Sequence, residues 1–187
     1  MLLKIFIIML QALITSKTRV KLLLRFFLNS NTTSYLRDLA SEYGESTNAI
    51  RLELNHLEKA GLLSSKMKGN KKVFQANTQH PLFEPIHQLI LKHTGIDHIM
   101  DFVLKKLQGL ESAYVLGSFA KGIDSPYINL LLAGNDISLD NLEHLVLKAE
   151  KLINRKINYH IVAPENKQQC LDGNPETLLL WQKENQL

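Results

Sequence analysis

The sequence predicts a mixed α/β chain in two parts: three helices closed by a basic β-hairpin, then a small α/β domain. Three observations carry this. Apolar residues recur at helical spacing up to Ala60, then give way to two strand-like runs around Gly69-Asn70. From Ile96 onward, helix-spaced segments alternate with short continuous apolar runs. Charge divides in the same place: residues 1–80 hold twelve Lys and Arg against five Asp and Glu, and residues 81–187 hold ten against thirteen. The net charge of +4 hides that split. A basic N-terminal half points to nucleic acid more than to a membrane.

Composition sets the bounds. At 187 residues, 45% apolar and 21% charged, the chain can build real cores and is not a disordered or collagen-like sequence. The single cysteine, Cys170, excludes an intrachain disulfide and a thiolate-cluster zinc site. Residues Leu2 to Ile14 are apolar except Lys4 and Gln11, a stretch too short to span a bilayer. Its length also suits a signal-peptide apolar region, but no small-x-small cleavage site follows. We read it as a helix buried on most of its surface, a candidate for dimer contacts, in a cytoplasmic protein.

Ser16 is placed to cap a helix carrying Val20, Leu23, Leu24 and Phe27, which ends at Asn29-Ser30-Asn31. Thr33 or Ser34 is placed to cap a short second helix with Leu36, Leu39 and Ala40, broken at Tyr43-Gly44. Ser46 then caps a third helix whose Ile50, Leu54 and Leu57 share a face and which stops at Ala60-Gly61. Two short helices around a Gly-containing turn form a helix-turn-helix. Leu62 to Asn77 follows as a hairpin turning at Gly69-Asn70, its tip carrying Lys66, Lys68, Lys71 and Lys72. A basic hairpin in that position is a wing.

On duplex DNA the third helix would enter the major groove and offer Thr47, Asn48, Arg51 and Asn55 to base edges. The wing lysines would neutralise phosphates. Taken singly, each of these residues also suits a plain solvated surface; the ordered set favours DNA. "LRDLASEYGESTNAIRLELNHLEKAGLLSSKMKGNKKVFQAN", within Leu22 to Asn77, resembles the winged helices of ArsR-type bacterial transcription regulators. The resemblance implies a homodimer on a palindromic DNA site. Some members of that group sense zinc, and His87, His98 and Asp101 match the spacing of three of their ligands. Pro85 stands at the fourth position and Gly95 interrupts the helix, so we expect no metal and no cofactor. Pro81 to His93 reads instead as a linker helix with Leu82, Phe83, Ile86, Leu89 and Ile90 turned inward.

The second half offers a helix at Ile96 to Leu107, strands at Ala113 to Leu116, Ile128 to Leu132 and Ile157 to Val162, and a long helix at Leu139 to Ile153. Two weak helices are expected after Pro164 and around Glu176 to Gln182. "VLGSFAKGIDSPYINLLLAG" resembles the signature of small stand-alone nucleotidyltransferases. The resemblance implies that Gly117, Ser118 and Lys121 form a phosphate-cradling turn. It also implies metal-holding carboxylates on the strands that follow, where this chain has Tyr127, Asn129 and Asn158. Without charge, amide oxygens bind a hard cation weakly.

The expected organisation is therefore a winged helix-turn-helix at 1–80 with its N-terminal apolar helix, a linker helix at 81–94, and a nucleotidyltransferase-like domain at 95–187. The expected function is a DNA-binding transcription regulator whose C-terminal domain transfers no nucleotide and serves ligand sensing, dimerisation or partner binding. That domain could still take a nucleotide or a protein partner. Two alternatives stay open. One is an active nucleotidyltransferase, such as an antitoxin-type enzyme that modifies a partner protein, with a metal site built from Asp124 or Asp136. The other is a protein-binding adaptor.

Overall fold

The computed structural model describes residues 14–174 and 176–183, in two compact units that divide between Ile90 and Leu91. The apolar helix expected from Leu2 lies outside the described residues, apart from Ile14. Among the described residues no helix is long and apolar enough to cross a membrane.

In the first unit, α1 (Lys17–Phe27) starts where Ser16 Oγ accepts the Arg19 amide at 3.2 Å. A strand and two helices follow: β1 (Thr33–Tyr35), α2 (Leu36–Tyr43) and α3 (Thr47–Lys59). Gly44 ends α2 in the left-handed region at φ 64°, and Ser46 Oγ caps α3 by accepting the Ala49 amide at 3.1 Å. The hairpin β2 (Leu63–Lys68) and β3 (Lys71–Ala76) closes an antiparallel sheet of order β1-β3-β2. Leu22, Phe26, Phe27, Leu39, Ile50, Leu54 and Phe74 fill the core. A helix, a strand, two helices and a hairpin in this order make a winged helix.

The structure corrects two details of this unit. Thr33 and Ser34 cap nothing; they pair with Gln75 and Phe74 of β3, and α2 begins at Leu36 without a side-chain cap. The buried Ser34 hydroxyl instead accepts a hydrogen bond from Arg25 Nε at 2.9 Å. The wing turns at Gly69-Asn70 as expected, with Gly69 at φ 60°. In the linker helix α4 (Phe83–Thr94), Leu82 precedes the first turn and is exposed, while Ile90 is fully buried. Phe83 stacks on both Phe27 and His87, and His87 Nδ1 lies 2.6 Å from the Phe27 carbonyl oxygen.

In the second unit, Gly95 separates α4 from α5 (Ile96–Phe102) at φ 83°, where an added Cβ would lie 2.8 Å from Ile153. The helix expected to reach Leu107 stops at Phe102 with Val103 as its C-cap; a 3-10 turn at Leu104–Lys106 follows, and Leu107 is extended. Strands β4 (Leu110–Leu116), β5 (Tyr127–Gly134), β6 (Lys156–Val162) and β7 (Thr177–Gln182) form a sheet of order β6-β5-β4-β7. β5 and β6 are parallel, joined through α6 (Leu139–Ile153), and the other pairings are antiparallel. After Pro164 come a 3-10 turn and the short α7 (Lys167–Asp172). Val115, Ile128, Leu130, Leu142, Val146 and Ile153 are buried in the core.

The helix expected around Glu176 to Gln182 is strand β7. Its apolar run Leu178 to Trp181 has no helical periodicity to defend, and β4 offers it a free edge from Leu116 to Ser112.

Candidate functional site

Helix α3 turns Ile50, Leu54 and Leu57 into the core, and so leaves Thr47, Asn48, Arg51 and Asn55 exposed on the opposite face. Glu53, between those faces, accepts from the Ser16 hydroxyl at 2.6 Å and from Arg19 Nε at 2.8 Å. Partial burial opposes ionisation of Glu53, but these two donors outweigh it and hold its carboxyl below the ordinary value. The N-terminal end of α1 is thereby tied to the middle of α3.

The four wing lysines do not act alike. Lys68 faces Lys71 across the hairpin and Lys66 faces Val73, so Lys66, Lys68 and Lys71 share one face. Lys72 lies on the other face with Met67, and its Nζ is 2.7 Å from Glu58 Oε2 on α3. Lys71 lies over the Tyr35 ring at 5.7 Å. Between α2, α3 and the wing lies a cleft of about 650 Å³, walled by Tyr35, Arg37, Arg51, Asn55, Lys71 and Lys72. Sequence reasoning did not single out Arg37 or Glu58. Arg37 was legible in principle, because it stands exposed beside the buried Leu39 and Ala40 of α2. Glu58 was not, because its partners come from the folded hairpin.

In the second unit, β4 runs into a tight turn at Gly117, φ 70°. The Lys121 amide bonds back to the Gly117 carbonyl at 3.1 Å and the Ile123 amide to the Ser118 carbonyl at 2.9 Å, while Phe119 and Ala120 are buried. Lys121 is exposed at the end of this turn. In the parallel register Tyr127 stands beside Lys156 and Asn129 beside Asn158. Asn158 Nδ2 donates to Asn129 Oδ1 at 2.9 Å. Asn129 Nδ2 in turn lies 3.3 Å from where a Cβ on Gly117 would stand, so the turn needs glycine both for its φ and for this approach. Tyr127, two positions earlier on the same strand, shares that face and is exposed. The structure thus brings Gly117, Asn129 and Asn158 together.

It does not bring the remaining carboxylates to them. Asp124 is held by Arg155 Nη1 at 2.9 Å. The same guanidinium donates to the Ser125 carbonyl and lies 5.2 Å over the Phe119 ring. Asp136 follows the far end of β5, in the left-handed region at φ 57°. Among the described residues no group of three His, Cys, Asp or Glu side chains is placed to hold a metal ion. A divalent cation therefore finds no carboxylate at Tyr127, Asn129 and Asn158, and this donor set does not fit one. His93, on α4, is buried with its Nδ1 unpartnered. Burial lowers its pKa; Asp124 counters this and Arg155 adds to it.

No protein-family model matches the chain. No curated protein matches it either. A solved structure from Sulfolobus solfataricus, described as a "putative nucleotidyltransferase", is similar with a TM-score of 0.35 and 21% identity, over 49% of this chain and 80% of that one. This finding corrects the expectation that the chain is no enzyme: the protein similar to it is described as one. None of the comparisons matches an ArsR-type regulator.

Proposed function

We propose that the protein is a transcription regulator that binds duplex DNA through its winged helix and takes a nucleotide at the Gly117–Ser118 turn of its C-terminal domain. One observation carries the DNA reading. α3 exposes Thr47, Asn48, Arg51 and Asn55 on one face, and across a cleft of about 650 Å³ stands a wing bearing Lys66, Lys68 and Lys71. Arg and Asn read guanine and adenine edges with paired hydrogen bonds, and the lysines supply salt-sensitive phosphate contacts. The ArsR-type resemblance supports a homodimer on a two-fold site. The test is an electrophoretic shift on duplex DNA at about 50 mM and raised salt. Shifted complexes that weaken steeply with salt support the reading, and no complex at low salt defeats it.

Nucleotidyl transfer is the second reading. The Gly117–Ser118 turn after β4 supports it; Asn129 and Asn158 do not, and transfer would need a metal site built from Asp124 or Asp136. Incubation with labelled nucleoside triphosphates, with and without Mg²⁺ or Mn²⁺, tests it. Label transferred to protein or nucleic acid, and lost in Ser118→Ala, would establish it.

A further inference from the structure

Two of the positions that the Gly-Ser signature marks for carboxylates hold amides, Asn129 and Asn158. A carboxylate only accepts hydrogen bonds, so it meets a phosphate through a cation; an amide also donates. Asn158 Nδ2 occupies the Asn129 carbonyl oxygen at 2.9 Å. What Asn129 has left to offer is its NH₂ group, and that group is turned to Gly117. The Ser118 hydroxyl and the Lys121 ammonium belong to the same turn. The nearest carboxylate in sequence, Asp124, is held by Arg155. An anion at this turn therefore meets N–H and O–H donors, with no acidic pair to repel it.

We infer that the Gly117–Ser118 turn binds the phosphate of a nucleotide directly, through Asn129 and Ser118, without a divalent cation. The inference rests on the reading of this domain as a nucleotide-binding one. It differs from that reading in what it requires: affinity that ignores Mg²⁺.

Calorimetric titration of the full chain with ATP in EDTA and in Mg²⁺ buffer decides it. The expected dissociation constants agree within about twofold. Each phosphate-facing donor removed is expected to weaken binding by roughly tenfold, read in Ser118→Ala. Asn129→Asp places a negative charge on the phosphate and is expected to weaken binding in EDTA by more than that. The double variant Asn129→Asp with Asn158→Asp is expected to regain affinity only when Mg²⁺ is present. Native affinity that rises tenfold or more with Mg²⁺ overturns the inference and leaves nucleotide binding standing. No ATP binding in either buffer overturns both. The native comparison decides even where a variant does not fold.

Discussion

Lys72 Nζ lies 2.7 Å from Glu58 Oε2, and Glu58 Oε1 accepts the Ser65 hydroxyl at 2.5 Å. One glutamate near the end of α3 thus fastens both strands of the wing to the helix. Lys72 is therefore a structural cation first. The salt slope of DNA binding should separate the lysines: Lys68→Ala should lower it by about one, and Lys72→Ala by clearly less. Equal slopes for the two variants would show that Glu58 releases Lys72 on DNA.

The same contact gives a pH dependence. Hydrogen bonds from Lys72 and then Ser65 hold the Glu58 carboxyl below its ordinary value of 4.5. Its stabilisation is therefore full above that value and is lost as pH falls through the lowered one. Glu58→Gln should cost the winged helix about 0.2–1 kcal/mol at pH 7 and remove part of its acid sensitivity. Urea unfolding at pH 7 and pH 3 would check this.

Arg51 is exposed at the middle of the outward α3 face. If it reads a guanine, Arg51→Ala costs about 1–3 kcal/mol at one base position and relaxes preference there. Binding to a randomised duplex library followed by sequencing measures this. A uniform loss over all sequences would reassign Arg51 to phosphate.

Protonation of His93 should destabilise the second unit. Its folded pKa is depressed from 6.5, chiefly by burial, so the unfolded chain takes up the proton first. Stability from the neutral ring is present above about 6.5 and declines as pH falls from there towards the lowered value. Hydrogen exchange of residues 91–183 at pH 7.5 and 5.5 should show faster opening at the lower pH, and His93→Gln should reduce that difference. Equal differences in the two chains would exonerate His93.

Gly109 is a second backbone requirement. It sits at φ 78°, and an added Cβ would lie 2.0 Å from the Asn135 carbonyl oxygen. Gly109→Ala should destabilise the sheet by more than about 2 kcal/mol, a thermal-melting measurement.

The caps and stops of the helices were readable because each depends on one residue type: Ser16 and Ser46 at the starts, Gly44 and Gly61 at the ends. The strand at Thr33–Tyr35 was not, since three residues show no alternation and only β3 makes them a strand. β7 was misread because leucine-rich runs favour helix locally, and only the open edge of β4 decides otherwise. At the C-terminal site the residues were legible and their chemistry was not. Gly117, Asn129 and Asn158 could be lined up from spacing, but the direction of the amide hydrogen bond exists only in the parallel register. The Arg155 to Asp124 pair likewise joins two loops that the sequence leaves unrelated.

The pairing of β4 with β7 bears on how the protein emerges during synthesis. All strands of the winged helix are made by Ala76, whereas β4 lacks its second neighbour until Thr177–Gln182 have been added. At about 5–20 residues per second the stretch from Leu116 to Gln182 takes roughly 3–13 s. In that time a nascent chain would carry a finished basic module while one edge of the later sheet stands open. Chaperone binding or mispairing has its window there, and a ribosome stalled before Thr177 would hold the chain with that edge of β4 unpaired.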